Sequence, residues 1–227
     1  RAEKELKDSL EKLKPDIVHA SLTLSPLDFK LPEICQQMNV PLVATFHPAF
    51  DSKIRNLTAS AQHLTYQLYA PSLAKFKRVI VFSQEQKEVL AKLGVSPNKQ
   101  IIIPNGVDQN IWKPSDIINK AHNLIREKIG EKRIFLYMGR IANEKNIEAL
   151  LKAWRQTKSK NCTLLIVGDG PMKPSLEHNF SDLEKENLIW WGEESNLETR
   201  VAIMQLAEVF FLPSLVEGLS LSLLEAM

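Results

Sequence analysis

PNGVDQNIWKPSD, Pro104 to Asp116, holds two prolines and an Asn-Gly turn and keeps no regular apolar period. It reads as a connector, and what lies on either side of it decides the fold. Upstream are the apolar runs DIVHA (16–20), PLVATF (41–46), RVIVF (78–82) and QIIIP (100–104). Downstream, after the helical pattern SDIINKAHNLIREKIG, come RIFLYM (133–138), CTLLIV (162–167), NLIWW (187–191) and EVFFLP (208–213). Each run is rich in β-branched or aromatic residues and is bounded by Gly, Pro, Asn or Asp, the pattern of a short strand. Their nearly continuous hydrophobicity suits strands buried on both faces, as in parallel sheets covered by helices. Amphipathic stretches such as IEALLKAWRQT (147–157) and LETRVAIMQLA (197–207) alternate with them. The expectation is an α/β chain with two domains, residues 1–109 and 110–227, each built on a parallel sheet; a long surface loop within one domain is the alternative.

Bulk composition narrows the function. The 227 residues are 44% hydrophobic and 25% charged, ordinary for a globular chain. Basic and acidic residues nearly balance at 29 against 27, a net charge of +2, so no strong field points to nucleic acid. Cys35 and Cys162 lack metal-ligand spacing and are expected as reduced core filler in a cytoplasmic protein. No apolar run approaches the roughly 20 residues of a spanning helix. The chain opens at Arg1 inside a charged helical pattern and stops at Met227 within a helix, so it reads as a piece of a longer protein, with both domains incomplete.

In doubly wound sheets ligands sit outside the carboxyl ends of the strands, so the residues just past each run matter most. After RIFLYM come Gly139 and Arg140, then Lys145, before the helix IEALLKAW. A glycine there lets a ligand approach the backbone, and a guanidinium plus an ammonium beside a helix N-terminus suit phosphate oxygens. Two solvated basic residues in a loop are the plainer alternative. After CTLLIV comes Gly168-Asp169-Gly170, which lacks the third glycine of a dinucleotide fingerprint because Lys173 stands there. It is expected as a tight strand-to-helix turn near a ligand and is weak support for a nicotinamide-dependent oxidoreductase. His19 and His47 end two of the upstream strands, and Pro48 biases His47 away from a helix. After EVFFLP the stretch LVEGLSLSLLEAM places Glu217 in a turn opened by Gly218 and Glu225 on the helix that follows. Two spaced carboxylates suit a polyhydroxylated ligand, and the free N–H groups of Gly218, Leu219, Ser220 and Leu221 point at the same crevice. A helix-terminal acid plus a surface glutamate explain the pattern equally well.

The ordered set DIVHA, VATFHPAF, VIVFSQ, IIIPNGVDQNIWKP, YMGRIANEKNIEALLKAW, LLIVGDGP and FLPSLVEGLSLSLLEAM resembles the retaining glycosyltransferases of family 4, the glycosyl transferases group 1, which have the GT-B fold. The resemblance implies two Rossmann-like domains, with a nucleotide-sugar donor on the C-terminal one, an acceptor on the N-terminal one, and transfer of a hexose with retention. It assigns Arg140 and Lys145 to the donor diphosphate. The E-x7-E pair maps onto Glu217, contacting the donor sugar, and Glu225, contacting the ribose. The resemblance also implies that His47 lies beside the reacting sugar and that Asn105 to Asp108 form the hinge. Catalytic residues are then His47, Arg140, Lys145 and Glu217, with Gly139, Gly168, Gly170, Gly218 to Leu221 and Glu225 binding the donor.

No cofactor or metal is implied. The acceptor would be a carbohydrate or lipid-linked hydroxyl, and nucleic acid is not a partner. The usual Glu-Lys-Gly is Glu144-Lys145-Asn146 here, and asparagine is the residue other than glycine that best tolerates a left-handed turn. Leu219-Ser220 replaces the usual Phe-Gly, which bears on donor preference. The stretch 52–78, with Lys53, Arg55, Lys75, Lys77 and Arg78, reads as an amphipathic helix with charged ends rather than a membrane contact. A nucleotide-binding piece that transfers nothing is the alternative function.

Overall fold

The computed structural model describes residues 2–22, 25–48, 57–157, 161–184, 187–215 and 217–227, with the side chains of 57–63 and 184 outside that description. The chain divides into two units, residues 1–105 with 216–219 and residues 106–215 with 220–227. Lys53 and Arg55, and Ala49 and Phe50 of VATFHPAF, lie outside the described residues.

The first unit runs α1 (Ala2–Leu13), β1 (Val18–Leu22), α2 (Leu31–Gln37), β2 (Leu42–Phe46), α3 (Leu57–Leu73), β3 (Arg78–Val81), α4 (Gln84–Lys92) and β4 (Gln100–Ile102). Its sheet keeps the chain order β1-β2-β3-β4, with every pairing parallel. Leu22, Phe46, Tyr66, Tyr69, Leu73, Phe76 and Val81 are among the side chains of its core.

The second unit runs α5 (Lys120–Ile129), β5 (Arg133–Met138), α6 (Ile147–Gln156), β6 (Cys162–Val167), α7 (Lys173–Asn179), α8 (Ser181–Glu184), β7 (Leu188–Gly192), α9 (Leu197–Leu206), β8 (Ala207–Phe210) and α10 (Leu221–Ala226). Its strands are again parallel, but their order is β7-β6-β5-β8, so the direction of winding reverses between β5 and β8. Alternation sorts the side chains into two cores. Ile134, Leu136, Met138, Leu165 and Val167 pack with α5 and α9. Tyr137, Leu164 and Ile166 pack with α6 and α7 on the other face. All six residues of β6 are buried, which is why CTLLIV carries no polar alternation.

Cys35 and Cys162 are both free and buried. The helix expected from Ser115 begins only at Lys120, because Asn119 caps it by accepting from the His122 N–H. Ile117 and Ile118 ahead of the cap are 76% and 61% exposed, so apolar character there did not build a helix face.

One buried polar pair ties α6 to the loop before β7. The Trp154 indole donates to Asn187 Oδ1 at 2.9 Å. Asn187→Leu leaves that N–H buried without its acceptor, an expected loss of about 1–3 kcal/mol. Urea unfolding of the variant beside the parent checks it.

Candidate active site

The reversal in strand order selects a place: the crevice outside the carboxyl ends of β5 and β8, where neighbouring loops leave in opposite directions. The loop after β5 is built against the loop after β6. Gly139 N–H donates to the Val167 carbonyl and Ile141 N–H to the Asp169 carbonyl, both at 2.9 Å. Met172 N–H returns to the Ile141 carbonyl at 3.1 Å. A Cβ on Gly168, where φ is +136°, would lie 2.0 Å from the Gly139 carbonyl oxygen. A Cβ on Gly170 would lie 2.3 Å from the Ile141 carbonyl oxygen. The neighbouring loop is therefore one reason for these two glycines, a close contact that the tight turn read from sequence did not specify. Gly139 differs, since a Cβ there meets only the Tyr137 side chain, at 3.2 Å.

Arg140 stands exposed on this double loop, and its carbonyl accepts the Tyr137 hydroxyl at 2.7 Å. Lys145 is half-buried and closes a single 3-10 turn (Asn143–Lys145). Asn146 follows at φ 53° and ψ 37°, left-handed as its side chain permits, and α6 starts at the next residue. The Asn146 amide donates to the Pro213 carbonyl at 3.3 Å, and Leu215 N–H donates to the Glu144 carbonyl at 2.9 Å. These two bonds tie the β5 loop to the β8 loop across the reversal. Gly139, Arg140, Lys145, Gly168 and Gly170 are thus brought to one edge of one sheet.

Ser220 caps α10, its Oγ accepting from Leu223 N–H at 3.4 Å, and Leu221 is the first helical residue. Glu225 is not a solvated surface acid. One Arg200 nitrogen donates to both its oxygens, at 3.0 and 2.8 Å, and the Arg200 guanidinium lies 5.3 Å from the Trp112 ring centroid. Arg200 had no signal in the sequence beyond its place on α9. Glu217 is half-buried, and with Gly218 and Leu219 it groups with the first unit, where the Asn105 amide donates to the Leu219 carbonyl at 2.9 Å.

In the first unit His47 follows β2 directly and is exposed. Its Nε2 lies 2.8 Å from Ser21 Oγ, and its ring leans on Phe82 at 5.3 Å between centroids. His19 does not end its strand as expected. β1 starts two residues later than DIVHA and runs on to Leu22, so His19 is its second residue and bonds Thr45 Oγ1 at 2.7 Å. Pairing sets that start, since Val18 N–H reaches the Pro41 carbonyl while Ile17 stays 55% exposed. Lys75, Lys77, Arg78 and Lys99 rim a cavity of about 610 Å³ at the opposite, N-terminal ends of β2 and β3. Lys99 donates there to the Ala74 carbonyl at 2.6 Å, which answers an open carbonyl at the end of α3. Among the described residues no helix is long and apolar enough to cross a membrane.

Far from the crevice, the Arg133 guanidinium hydrogen-bonds Glu208 and holds that carboxyl below the usual carboxylate range, joining the starts of β5 and β8. This exposed pair orders the strand ends rather than the chemistry.

Residues 1–110 match the family model Glycosyltransferase Family 4, and residues 120–227 match Glycosyl transferases group 1. The Escherichia coli UDP-Gal:alpha-D-GlcNAc-diphosphoundecaprenol alpha-1,3-galactosyltransferase is 34% identical over 96% of this chain and 56% of its own length. The Streptococcus pneumoniae alpha-monoglucosyldiacylglycerol synthase is 24% identical over 93% of this chain and 49% of its own. The chain therefore spans about half the length of the curated relatives it matches. Among solved structures, Anabaena Alr3699/HepE in complex with UDP-glucose superposes with a TM-score of 0.78, at 14% identity, over 99% of this chain and 60% of that one. Two parallel α/β sheets, with a Glycosyltransferase Family 4 match over residues 1–110 followed by a Glycosyl transferases group 1 match over residues 120–227, place this chain among the glycosyltransferases of GT-B fold.

Proposed function

We propose that the whole protein moves a hexose from a uridine diphosphate sugar to an acceptor hydroxyl, with retention at the anomeric carbon. The observation that carries the proposal is the double loop at the strand reversal. It offers an exposed guanidinium at Arg140 and an ammonium at Lys145 beside the N-terminus of α6. Such an edge suits a diphosphate, whose oxygens take the forked donor, the point charge and the helix amides together. The uridine choice is supported by the Anabaena neighbour, solved with UDP-glucose, and by the Escherichia coli relative, whose name gives UDP-galactose as donor. The same relative's lipid diphosphate acceptor, and the diacylglycerol in the pneumococcal enzyme's name, favour a lipid-linked acceptor met at the cytoplasmic face of a membrane.

In this reading Arg140 and Lys145 neutralise the diphosphate as it leaves, without a metal. Glu217 accepts from hydroxyls of the donor sugar. Glu225 receives the ribose hydroxyls, which its geometry allows: a carboxylate offers about four lone-pair sites, and Arg200 occupies only one on each oxygen. His47 stands beside the reacting sugar on the acceptor side, turned by Ser21.

A thermal-shift panel of UDP-hexoses, GDP-hexoses, ADP-hexoses and NAD tests the donor on the whole protein. A true donor at a hundred times its dissociation constant adds about 2.7 kcal/mol to stability. A shift with UDP-glucose or UDP-galactose and none with NAD is expected. A response to NAD alone would reverse the reading in favour of an oxidoreductase.

A further inference from the structure

His47 is exposed, yet the backbone that carries it is fastened from beneath by one buried side chain. Gln86 sits in the first turn of α4 and is 7% exposed. Its Oε1 accepts the Phe82 N–H at 2.8 Å, which settles which end of the amide is the donor. Its Nε2 then faces the Phe46 carbonyl at 3.1 Å, the Pro48 carbonyl at 3.2 Å and the Tyr66 hydroxyl at 3.1 Å. Phe46 and Pro48 are the residues on either side of His47. Tyr66, fully buried on α3, donates its own hydroxyl to the Pro48 carbonyl at 2.9 Å. The imidazole in turn leans on the ring of Phe82, whose N–H that same glutamine holds.

A core glutamine need only satisfy its own donors and acceptor. This one spends them on both peptide carbonyls that bracket one histidine and on the residue that supports its ring. Each bond converts freedom of the strand-end turn into a fixed direction for the imidazole. A displacement of about 1 Å at a reacting centre can cost 10²-fold in rate, so a turn left loose there has a visible consequence.

We propose that Gln86 is a positioning residue for sugar transfer, acting through His47 with Tyr66 as its second anchor. The inference rests on His47 lying beside the reacting sugar, as proposed above.

The test uses the whole enzyme carrying Gln86→Met, which keeps an unbranched side chain of similar length and removes the amide. The expected result is a folded protein with kcat down about 10–100-fold and the donor KM within about twofold. In samples labelled at histidine, the His47 ring signals, assigned by their loss in His47→Ala, shift as well. In the His47→Ala background Gln86→Met lowers kcat no further, because a residue that acts only through His47 has nothing left to position.

A folded Gln86→Met enzyme with unmutated kcat, beside a disabled His47→Ala, overturns the positioning role and leaves the reading of His47 intact. Losses that simply multiply in the double variant also overturn it, as they would mark general destabilisation. An unmutated rate in His47→Ala instead brings down the reading of His47, and this inference with it. If Gln86→Met does not fold, Tyr66→Phe removes one hydroxyl and decides the matter: a smaller kcat loss that vanishes in the His47→Ala background is expected, and full activity overturns the proposal.

Discussion

Arg140→Ala in the whole enzyme lowers kcat by about 10²–10³-fold, the measure of one lost contact to a developing charge, about 2.7–4 kcal/mol of barrier. Negative charge grows on the diphosphate as the glycosidic bond opens, so a cation placed there stabilises the transition state more than the bound donor. Arg140 is suited to this by exposure and by the fold beneath it, whose Tyr137 and Gly139 contacts involve backbone and survive the truncation. Thermal stability should therefore hold while turnover falls. Arg140→Lys keeps the charge without the planar fork and should land between the two. Lys145→Ala should act in the same direction. Steady-state kinetics across a range of donor concentrations checks all three, and an Arg140→Ala kcat within threefold of the parent would remove this residue from the reaction.

Gly168→Ala should do the reverse, attacking the fold before the chemistry. Its methyl would stand 2.0 Å from the Gly139 carbonyl oxygen, at a φ of +136° that side chains rarely adopt. Overpacking of about 1–3 kcal/mol and backbone strain of a similar size add to a loss of roughly 2–6 kcal/mol. A domain holds only about 5–15 kcal/mol in reserve, so the second unit should unfold at much lower urea, or fail to accumulate. Gly218→Ala is the control, since a Cβ there meets nothing within 4 Å. Equal urea midpoints for the two variants would show that the loops part without cost.

The strands were legible because each of the eight is a short apolar run between turn formers, and composition of that kind needs no tertiary partner to be read. The left-handed Asn146 was legible for a local reason too, the asparagine side chain. What escaped the sequence was carried by contacts between distant elements. Ser21 meets His47 across 26 residues, Arg200 meets Glu225 across 25, and Gln86 meets the Phe46 carbonyl across 40. No period announces such pairs. A trace existed for one of them: Ser83 and Gln86 have the spacing of a capping box, and Ser83 Oγ does accept the Gln86 N–H at 3.2 Å. The glutamine side chain, however, reaches one residue further back than that motif requires, to Phe82. The glycines at 168 and 170 were legible as a tight turn, which does not specify their close contact. Their neighbour is a carbonyl on another strand's loop, which only the register of β5 and β6 reveals.

Where two loops are separated by nothing but a missing side chain, neither can shift without carrying the other. Gly139–Ile141 and Gly168–Gly170 therefore form a single stiff plate, hydrogen-bonded and interlocked along its length. A plate of that kind can fix where phosphates rest, but it has little latitude to learn a new sugar. In the proposed reading, divergence in donor choice falls instead to the start of α10, Ser220 to Ser222, where Leu221 is 52% exposed and neither serine is fully buried.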